Sequence, residues 1–347
     1  MPLSIRNRYY IPSRERRFFL NLGKRLTGRP GPRFPRTVQI QTMTGCNADC
    51  IFCPYGASHA SQPHGRMEDD LFRNIIGECA RHRVRRISPY LMNEPFLDPG
   101  IVDRIRYVKS QMPRCKVVVT TNGSMMRPGV IDSLLDLDPP LDALYISFQG
   151  IDPEVYRQTM RGGLELSATL ENVEYLTQRM AALRIRHPRV WITMVNTGLL
   201  DEKRAMRFWR VRGVRCKFTE MDNRGGNLNE ENIHPAGAMQ PNTTCTRLFK
   251  QAYILFNGDM VLCCADYSRR VVLGNVRTDS ISAVWNGDAA IGIRRTYLAK
   301  RYHDLILCRD CRIDCVRERT APKVLSRWIP ALRSAASRAL IPSRPRR

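Results

Sequence analysis

The sequence predicts an α/β fold built around a parallel sheet. Short strand-like segments and longer helical segments alternate about six times between residues 38 and 221, and short loops join them. Crossovers between parallel strands are nearly always right-handed, and six units fit an incomplete barrel better than a closed barrel of eight. Periodicity alone leaves two architectures open, a partial barrel and an open doubly wound sheet. In both of them, ligand sites collect at the carboxyl ends of the strands.

The composition is that of a globular protein. The chain has 347 residues, enough for one large and one small domain, and 43% of them are hydrophobic. No apolar run approaches the roughly 20 residues of a membrane span, and the basic N-terminus lacks the apolar core of a secretory signal. We therefore expect a cytoplasmic protein whose 12 cysteines are grouped as metal ligands rather than paired in disulfides.

Most of the net charge of +24 lies at the two ends of the chain. Residues 1–36 contain ten Lys or Arg and one Glu, and residues 317–347 contain nine Lys or Arg and one Glu. Such tails can contact an anionic membrane surface or another polyanion, or they can simply be solvated. Nucleic acid is not the partner that we expect.

The elements follow in order along the chain. A short helix at residues 13–26, capped by Ser13, precedes a Gly/Pro linker at residues 28–32, and the core begins near Arg36. The predicted strands lie at residues 38–43, 85–91, 116–121, 143–148, 190–196 and 216–221. The predicted helices lie at residues 69–82, 99–111, 130–137, 168–183 and 201–212.

Two further elements follow the sixth strand. Asn257-Gly258-Asp259 predicts a hairpin turn between strands at residues 252–256 and 260–263. Residues 323–341 predict a basic amphipathic helix, kinked at Pro330, that either lies on an anionic membrane or docks on the barrel. The predicted organisation is a basic extension at 1–35, a barrel at 36–235, a cysteine domain at 236–320 and a basic tail at 321–347.

The first cysteine group directly follows the first strand. Cys46, Cys50 and Cys53 have the spacing C-x3-C-x2-C. Iron–sulfur clusters normally have four thiolate ligands, so three thiolates leave one iron open to a small molecule. Zinc is the alternative, with His59 or His64 as the fourth ligand.

The second cysteine group follows the barrel. Cys245, Cys263, Cys308 and Cys311 are separated by 17, 44 and 2 residues, and four such ligands suit one cluster or one zinc ion. Cys315 is a candidate fifth ligand.

The C-x3-C-x2-C loop, with Phe52 before its last cysteine, resembles that of the radical S-adenosylmethionine (SAM) enzymes. This resemblance implies a partial (β/α)6 barrel, which decides between the two architectures. It also implies that the open iron of a [4Fe–4S] cluster chelates the amino and carboxylate groups of SAM. An electron from the cluster then splits SAM, and a 5′-deoxyadenosyl radical abstracts a hydrogen from the substrate.

The resemblance also implies SAM contacts at the strand ends. Asn93-Glu94-Pro95 takes the place of a Gly-Glu-Pro-like motif whose glutamate holds the methionine amino group, and Asn93 replaces the usual glycine. Asn122 and Ser147 match positions that line the ribose and the carboxylate. The implied SAM-binding residues are Phe52, Asn93, Glu94, Asn122, Ser147 and Asn196.

The second cysteine group, together with the hairpin, resembles the SPASM/twitch extension of these enzymes. This implies one auxiliary [4Fe–4S] cluster, held by the four cysteines of the second group. A second auxiliary cluster is less favoured, because no cysteine follows Cys315. Cys264, next to a ligand, is a spare thiol, an alternative ligand or a hydrogen donor that quenches a substrate radical.

The predicted function is hydrogen abstraction from a small molecule such as a sugar, aminosugar or nucleoside. The outcome would be dehydrogenation, epimerisation, decarboxylation or C–C bond formation, with a flavodoxin- or ferredoxin-type electron donor. We favour a non-peptide substrate, because the segment before the barrel is too short for a recognition domain of about 80–90 residues. The alternatives are a peptide- or protein-modifying maturase and a non-catalytic iron–sulfur or zinc protein that binds nucleic acid.

Overall fold

The structure, a computed structural model, describes residues 30–219, 221–228 and 239–314. The predicted terminal helices at residues 13–26 and 323–341 lie outside these residues, as do Cys315 and the domain boundary predicted at 235/236. The described residues form one compact unit. No helix among them is long and apolar enough to cross a membrane.

Six parallel strands form the barrel sheet, which confirms the predicted fold class. They are β1 (Thr37–Ile40), β2 (Arg86–Ser88), β3 (Lys116–Thr121), β4 (Ala143–Ser147), β5 (Arg189–Val195) and β6 (Arg215–Thr219). Each strand pairs with the next one along the chain, in the order β1 to β6. The apolar faces of β1 to β5 contain fully buried residues, such as Val38 and Ile40 in β1, whereas β6 at the edge of the sheet is only partly buried.

The first two strands are shorter than the sequence predicts. β1 ends at Ile40. Gln41 still donates its N–H to the carbonyl of Ile254 at 2.8 Å, which is the last bond of a parallel pairing with residues 251–254, and Met43 then forms an antiparallel bridge with Arg66. The chain therefore leaves the parallel ladder before it reaches the cysteine loop.

Helices cover the barrel sheet. They are α1 (Tyr55–Ser58), α2 (Asp69–Arg81), α3 (Ile101–Gln111), α4 (Pro128–Leu135), α5 (Pro153–Met160), α6 (Leu166–Ala182) and α7 (Glu202–Val211). α5 was not predicted, although its first residues carry a helix start signal. The Asp152 carboxylate accepts the N–H of Val155 at 3.0 Å, and Pro153 occupies the first turn.

The segment after the barrel extends the same sheet. It contains β7 (Met239–Pro241), β8 (Gln251–Ile254), β9 (Asp259–Val261), β10 (Val272–Asn275), α8 (Ile281–Asn286), α9 (Asp288–Leu298) and β11 (Arg312–Asp314). β8 and β9 form the predicted hairpin, and Gly258 has the positive φ of 92° that its turn requires. β8 also pairs in parallel with β1, so the sheet has nine strands in the order β10-β9-β8-β1-β2-β3-β4-β5-β6.

Side chains also join this segment to the barrel. The buried Glu78 carboxylate of α2 accepts the N–H groups of Ile281 and Ser282, at 2.8 and 2.9 Å, at the start of α8. The Trp285 indole donates to the carbonyl of Pro32 at 2.9 Å. The cysteine segment is thus fixed against the barrel at both β1 and α2.

Candidate active site

The first cysteine loop lies at the carboxyl end of the barrel sheet. Gly45 adopts a φ of 120°, which lets the chain turn sharply into the loop. The loop is anchored at its far end, where Asp49 and Ile51 donate their N–H groups to the carbonyls of Met160 and Thr159 at 3.1 Å each. These bonds hold the loop against the end of α5, one of the helices that the sequence prediction missed.

The three thiols of this loop lie within electrostatic reach of one another. Burial first of all, together with the neighbouring Glu94 and Cys53, raises the pKa of Cys46 to about 12. Burial, then Cys53 and Cys46, raise the pKa of Cys50 well above its usual range. Three thiolates together therefore need a strongly positive group among them, which an iron–sulfur cluster supplies. The donor set fits a cluster with one open iron.

Two histidines, His59 and His64, lie near this loop in the sequence. Across residues 30–219, 221–228 and 239–314, no three His, Cys, Asp or Glu side chains are grouped as they would be around one ion. His59 and His64 pack edge to face, with ring centroids 6.4 Å apart, and the His59 ring lies against the carbonyl of Gly56 at 2.9 Å.

Glu94 is buried at the same end of the sheet, directly after β2. Its carboxylate accepts the hydroxyl of Thr121 at 2.6 Å and the N–H groups of Asn122 and Phe96 at 2.7 and 3.1 Å. Its backbone N–H donates to the carbonyl of Gly45 at 2.8 Å. Burial raises the pKa of Glu94 to about 7, and the three donors oppose that shift. The structure thus fixes a carboxylate beside the cysteine loop.

Asn122 connects the end of β3 to the cysteine loop. Its amide group donates to the Asn47 side chain at 2.8 Å, and Asn47 donates in turn to the Ser124 hydroxyl at 2.9 Å. The Ser124 hydroxyl closes the ring by donating to Asn122 at 2.7 Å. This network holds Asn47, between the first two cysteines, against the strand end.

The asparagine that replaces the family glycine is accommodated locally. The Asn93 side-chain oxygen accepts the N–H of Leu91 at 2.8 Å, while its buried amide nitrogen has no hydrogen-bond partner among the residues that the structure describes. The left-handed backbone conformation falls on Met92, whose φ is 53°, rather than on Asn93. The neighbouring residue Met92 therefore makes the turn here.

The remaining predicted SAM contacts have different surroundings. Phe52 is 6% exposed and packs in the hydrophobic core. Ser147, at the end of β4, accepts a hydrogen bond from Gln149 at 3.1 Å, and Gln149 accepts the N–H of Val195 at 2.7 Å. Asn196 follows β5 and donates its N–H to the carbonyl of Thr219 at 3.1 Å. Their contacts with SAM stay predictions.

The second cysteine group surrounds a cavity of about 640 Å³, a volume that includes space open to solvent. Its lining includes all four predicted ligands, Cys245, Cys263, Cys308 and Cys311. Burial raises the pKa of Cys308 to about 12, and it also raises the pKa of Cys311. Four thiols around one cavity fit the auxiliary cluster that the sequence predicts.

Polar groups face the sulfurs of this cavity. The Asn242 amide donates to the Cys311 sulfur at 3.6 Å, and the Ala265 N–H donates to the Cys263 sulfur at 3.4 Å. Arg247 also lines the cavity, and the thiols around it, Cys264 first, raise its pKa well above its usual value. These donors and this cation suit a bound group of negative charge.

Cys264 lies outside this lining and packs against the cluster of Leu91, Tyr253, Leu255 and Val261. A hydrogen bond from Cys263 lowers the pKa of Cys264, and the nearby Arg247 lowers it further. Its predicted role as a hydrogen donor is untested.

Sequence reasoning missed two residues at these sites. Tyr267 lies against Cys53, and Arg247 lies among the thiols of the second group. The sequence contains no signal for the first contact, because 214 residues separate its partners.

Family comparisons agree with this arrangement. The radical SAM superfamily model matches residues 40–197, and the SPASM iron–sulfur cluster-binding domain model matches residues 245–312. The chain belongs to the radical SAM superfamily. A radical SAM enzyme uses SAM and a [4Fe–4S] cluster, and its SPASM domain implies auxiliary iron–sulfur binding. The predictions of an enzyme and of these cofactors are confirmed, and the alternative of a non-catalytic protein is set aside.

Individual relatives of this radical SAM enzyme share low identity over most of its length. The S-adenosyl-L-methionine-dependent 2-deoxy-scyllo-inosamine dehydrogenase of Niallia circulans is 20% identical over 275 residues, which cover 79% of this chain and 91% of that protein. The structure of BtrN in complex with AdoMet and 2-DOIA matches with a TM-score of 0.55 at 17% identity, over 80% of this chain and 93% of that one.

A further structural match is a complex with a peptide. The structure of Streptococcus suis SuiB bound to the precursor peptide SuiA matches with a TM-score of 0.61 at 14% identity, over 84% of this chain and 74% of that one. At these identities, the two structural matches show a shared fold.

Proposed function

We propose that this radical SAM enzyme dehydrogenates a small, hydroxyl-bearing molecule of the sugar, aminosugar or nucleoside type. The observation that carries the proposal is the second thiol group. Four cysteines surround one cavity in the same compact unit as the three-thiol loop, so the enzyme has a site for an internal electron acceptor. The similarity to an aminosugar dehydrogenase supports the same class of substrate and reaction.

The clusters supply the redox chemistry. A [4Fe–4S] cluster held by Cys46, Cys50 and Cys53 would supply the electron for reductive cleavage of SAM and so the means to abstract a substrate hydrogen, and a cluster held by the second group would supply an acceptor for the substrate's remaining electron, with the hydroxyl proton released to water. The chain's own residues hold these groups. Cys46, Cys50 and Cys53 hold the SAM cluster, and Glu94 orients the methionine amino group. A flavodoxin- or ferredoxin-type protein supplies the external electron.

The interior of the barrel suits a polar substrate. In β4 and β5, the half-buried residues alternate with fully buried apolar ones, so Tyr145, Ser147 and Thr193 face the barrel interior. Lys217 of β6 pairs in register with Thr193, and its ammonium lies 4.4 Å from the centre of the Tyr145 ring. Hydroxyl groups and a cation at the carboxyl end of the sheet can bind the oxygens of a sugar-like molecule.

The first experiment is anaerobic reconstitution with iron and sulfide. We expect about eight irons per chain, from two four-iron clusters, and 5′-deoxyadenosine after reduction with SAM. The triple variant Cys46→Ala/Cys50→Ala/Cys53→Ala should keep about half of the iron and lose SAM cleavage. Cys79→Ala, which removes a buried thiol outside both groups, should keep both. Stoichiometric zinc without SAM cleavage would contradict the proposal.

The second experiment identifies the substrate class. Aminosugars, including 2-deoxy-scyllo-inosamine, nucleosides and peptides are incubated with the reconstituted enzyme, and the products are examined for a new carbonyl group. A carbonyl product from a sugar-type substrate, formed together with 5′-deoxyadenosine, is the expected result. Solvent deuterium on the reacted carbon would instead indicate hydrogen return, and modified peptides would favour the maturase alternative.

The cellular location is a separate prediction. We expect a cytoplasmic protein whose basic tails contact an anionic membrane surface. Such a protein should bind vesicles that contain anionic lipid and should not bind neutral vesicles. Equal binding to both vesicle types, or to neither, would contradict the membrane contact.

A further inference from the structure

The segment Cys263–Tyr267 spans the distance between the two cysteine groups. Cys263 lines the auxiliary cavity, and four residues later the Tyr267 hydroxyl lies 3.6 Å from the Cys53 sulfur. The auxiliary region therefore supplies a polar group that touches a predicted ligand of the SAM cluster. Neither family similarity nor sequence spacing assigns a role to Tyr267.

We propose that Tyr267 is a positioning residue that donates a hydrogen bond to the Cys53 thiolate and raises the reduction potential of the SAM cluster. The inference rests on the proposed function only in assuming that Cys46, Cys50 and Cys53 hold that cluster. A thiolate accepts hydrogen bonds and donates none, whereas a phenol is a donor at neutral pH. Once Cys53 is a ligand, the direction of this hydrogen bond is therefore fixed, and the Tyr267 O–H donates to the Cys53 sulfur.

The backbone around Tyr267 is held firmly enough to keep the phenol in place. The fully buried Asp266 accepts the N–H groups of Arg270 and Val271 at 2.8 and 2.9 Å, which closes the turn that carries Tyr267. On the other side, the Asn227 amide donates to the carbonyl of Ala265 at 2.7 Å. Hydrogen bonds within the turn, and a hydrogen bond to the loop that follows β6, thus hold this segment in place.

Further bonds tie this turn to the same loop. The Ser268 hydroxyl donates to the Asn227 side chain at 3.2 Å, and the Arg270 guanidinium donates to the carbonyl of Gly225 at 3.0 Å. A phenol presented by such a turn loses little additional freedom when it bonds to Cys53, because its backbone is already ordered.

The direction of the effect follows from charge. Reduction adds one electron to the cluster, and hydrogen bonds to cluster sulfurs are one of the determinants of its potential. A donor that points its positive end at a sulfur stabilises the reduced, more negative state more than the oxidised one. Removing that donor lowers the potential, so that the cluster becomes harder to reduce.

The test is a redox titration of the reconstituted Tyr267→Phe variant, followed by electron paramagnetic resonance. The SAM cluster is identified as the signal that changes on addition of SAM. At a fixed potential, we expect the ratio of reduced to oxidised SAM cluster to fall about threefold, a shift of about 28 mV for one electron. The auxiliary cluster's potential should move less, because Tyr267 touches Cys53.

The matched control is Tyr107→Phe. Tyr107 lies in α3 and packs against Phe72 and Arg73, so this variant also removes one phenol oxygen, but away from both cysteine groups. Its SAM cluster should titrate as in the wild type. Equal potentials in Tyr267→Phe and wild type, with iron content and SAM cleavage intact, would overturn the inference. A wild type that assembles no cluster would instead overturn the proposed function.

Discussion

Replacing Glu94 by glutamine should weaken SAM binding about tenfold and leave both clusters loaded. Glu94 is 2% exposed, and three protein donors already bind its carboxylate. A carboxylate has about four acceptor positions, two on each oxygen. One of its oxygens takes Thr121 and Phe96, and the other takes only Asn122. One acceptor position therefore remains for a donor from the ligand.

The magnitude follows from what glutamine cannot do. Its amide has a single acceptor oxygen, which cannot serve all three protein donors and the SAM amino group together. The bond to the ligand also changes from a charge-assisted hydrogen bond, worth about 1.5–3 kcal/mol, to a neutral one, worth about 0.5–1.5 kcal/mol. A loss of about 1.4 kcal/mol corresponds to a tenfold weaker affinity.

The assay is anaerobic equilibrium binding of SAM to the oxidised, cluster-loaded enzyme. Glu78→Gln is the control, because it makes the same substitution at a buried glutamate that contacts α8 rather than the cysteine loop. It should bind SAM as tightly as the wild type does. If Glu94→Gln keeps full iron and wild-type affinity, then Glu94 does not hold the ligand.

Two further predictions concern stability. Because burial raises the pKa of Glu94 from 4.5 to about 7, the folded state keeps a proton that the unfolded state releases between these values. The free energy of unfolding of the cluster-free protein should therefore fall by about 3 kcal/mol as pH rises from 4.5 through 7. The Glu94→Gln variant should lack this pH-dependent loss. If the melting temperatures of the two proteins change in parallel across that range, the prediction is wrong. Glu78→Ala should leave the Ile281 and Ser282 N–H groups buried without an acceptor, lowering stability by about 3 kcal/mol and the melting temperature by about 5 °C in a thermal scan. An unchanged melting temperature would show that the bonds to α8 contribute little.

The sequence predicted the barrel strands best where each strand is a buried apolar run. β3 matches its predicted bounds residue for residue, because Lys116–Thr121 is a β-branched run bounded by turn signals. The cysteine spacings likewise identified the four thiols that line the auxiliary cavity, since ligand spacing is a local property of the chain.

Non-local contacts were not predictable in this way. The sequence predicts a longer first strand, but β1 ends where the chain turns towards the antiparallel bridge between Met43 and Arg66. The contact of Tyr267 with Cys53 depends on how the turn after β9 lies against the barrel, which no local pattern encodes. Asn93 illustrates the same limit, because the left-handed conformation lies on its neighbour Met92, a residue that no sequence signal marks.

The pairing of β1 with β8 has a consequence for synthesis on the ribosome. Gln39 and Gln251 bond across this pair and are 212 residues apart. At about 5–20 residues per second, one edge of the first strand stays open for on the order of 10–40 s after it is made. An open strand edge is a template for wrong pairing. The first strand is therefore most exposed to wrong pairing during that interval, which ends when β8 emerges and covers the edge.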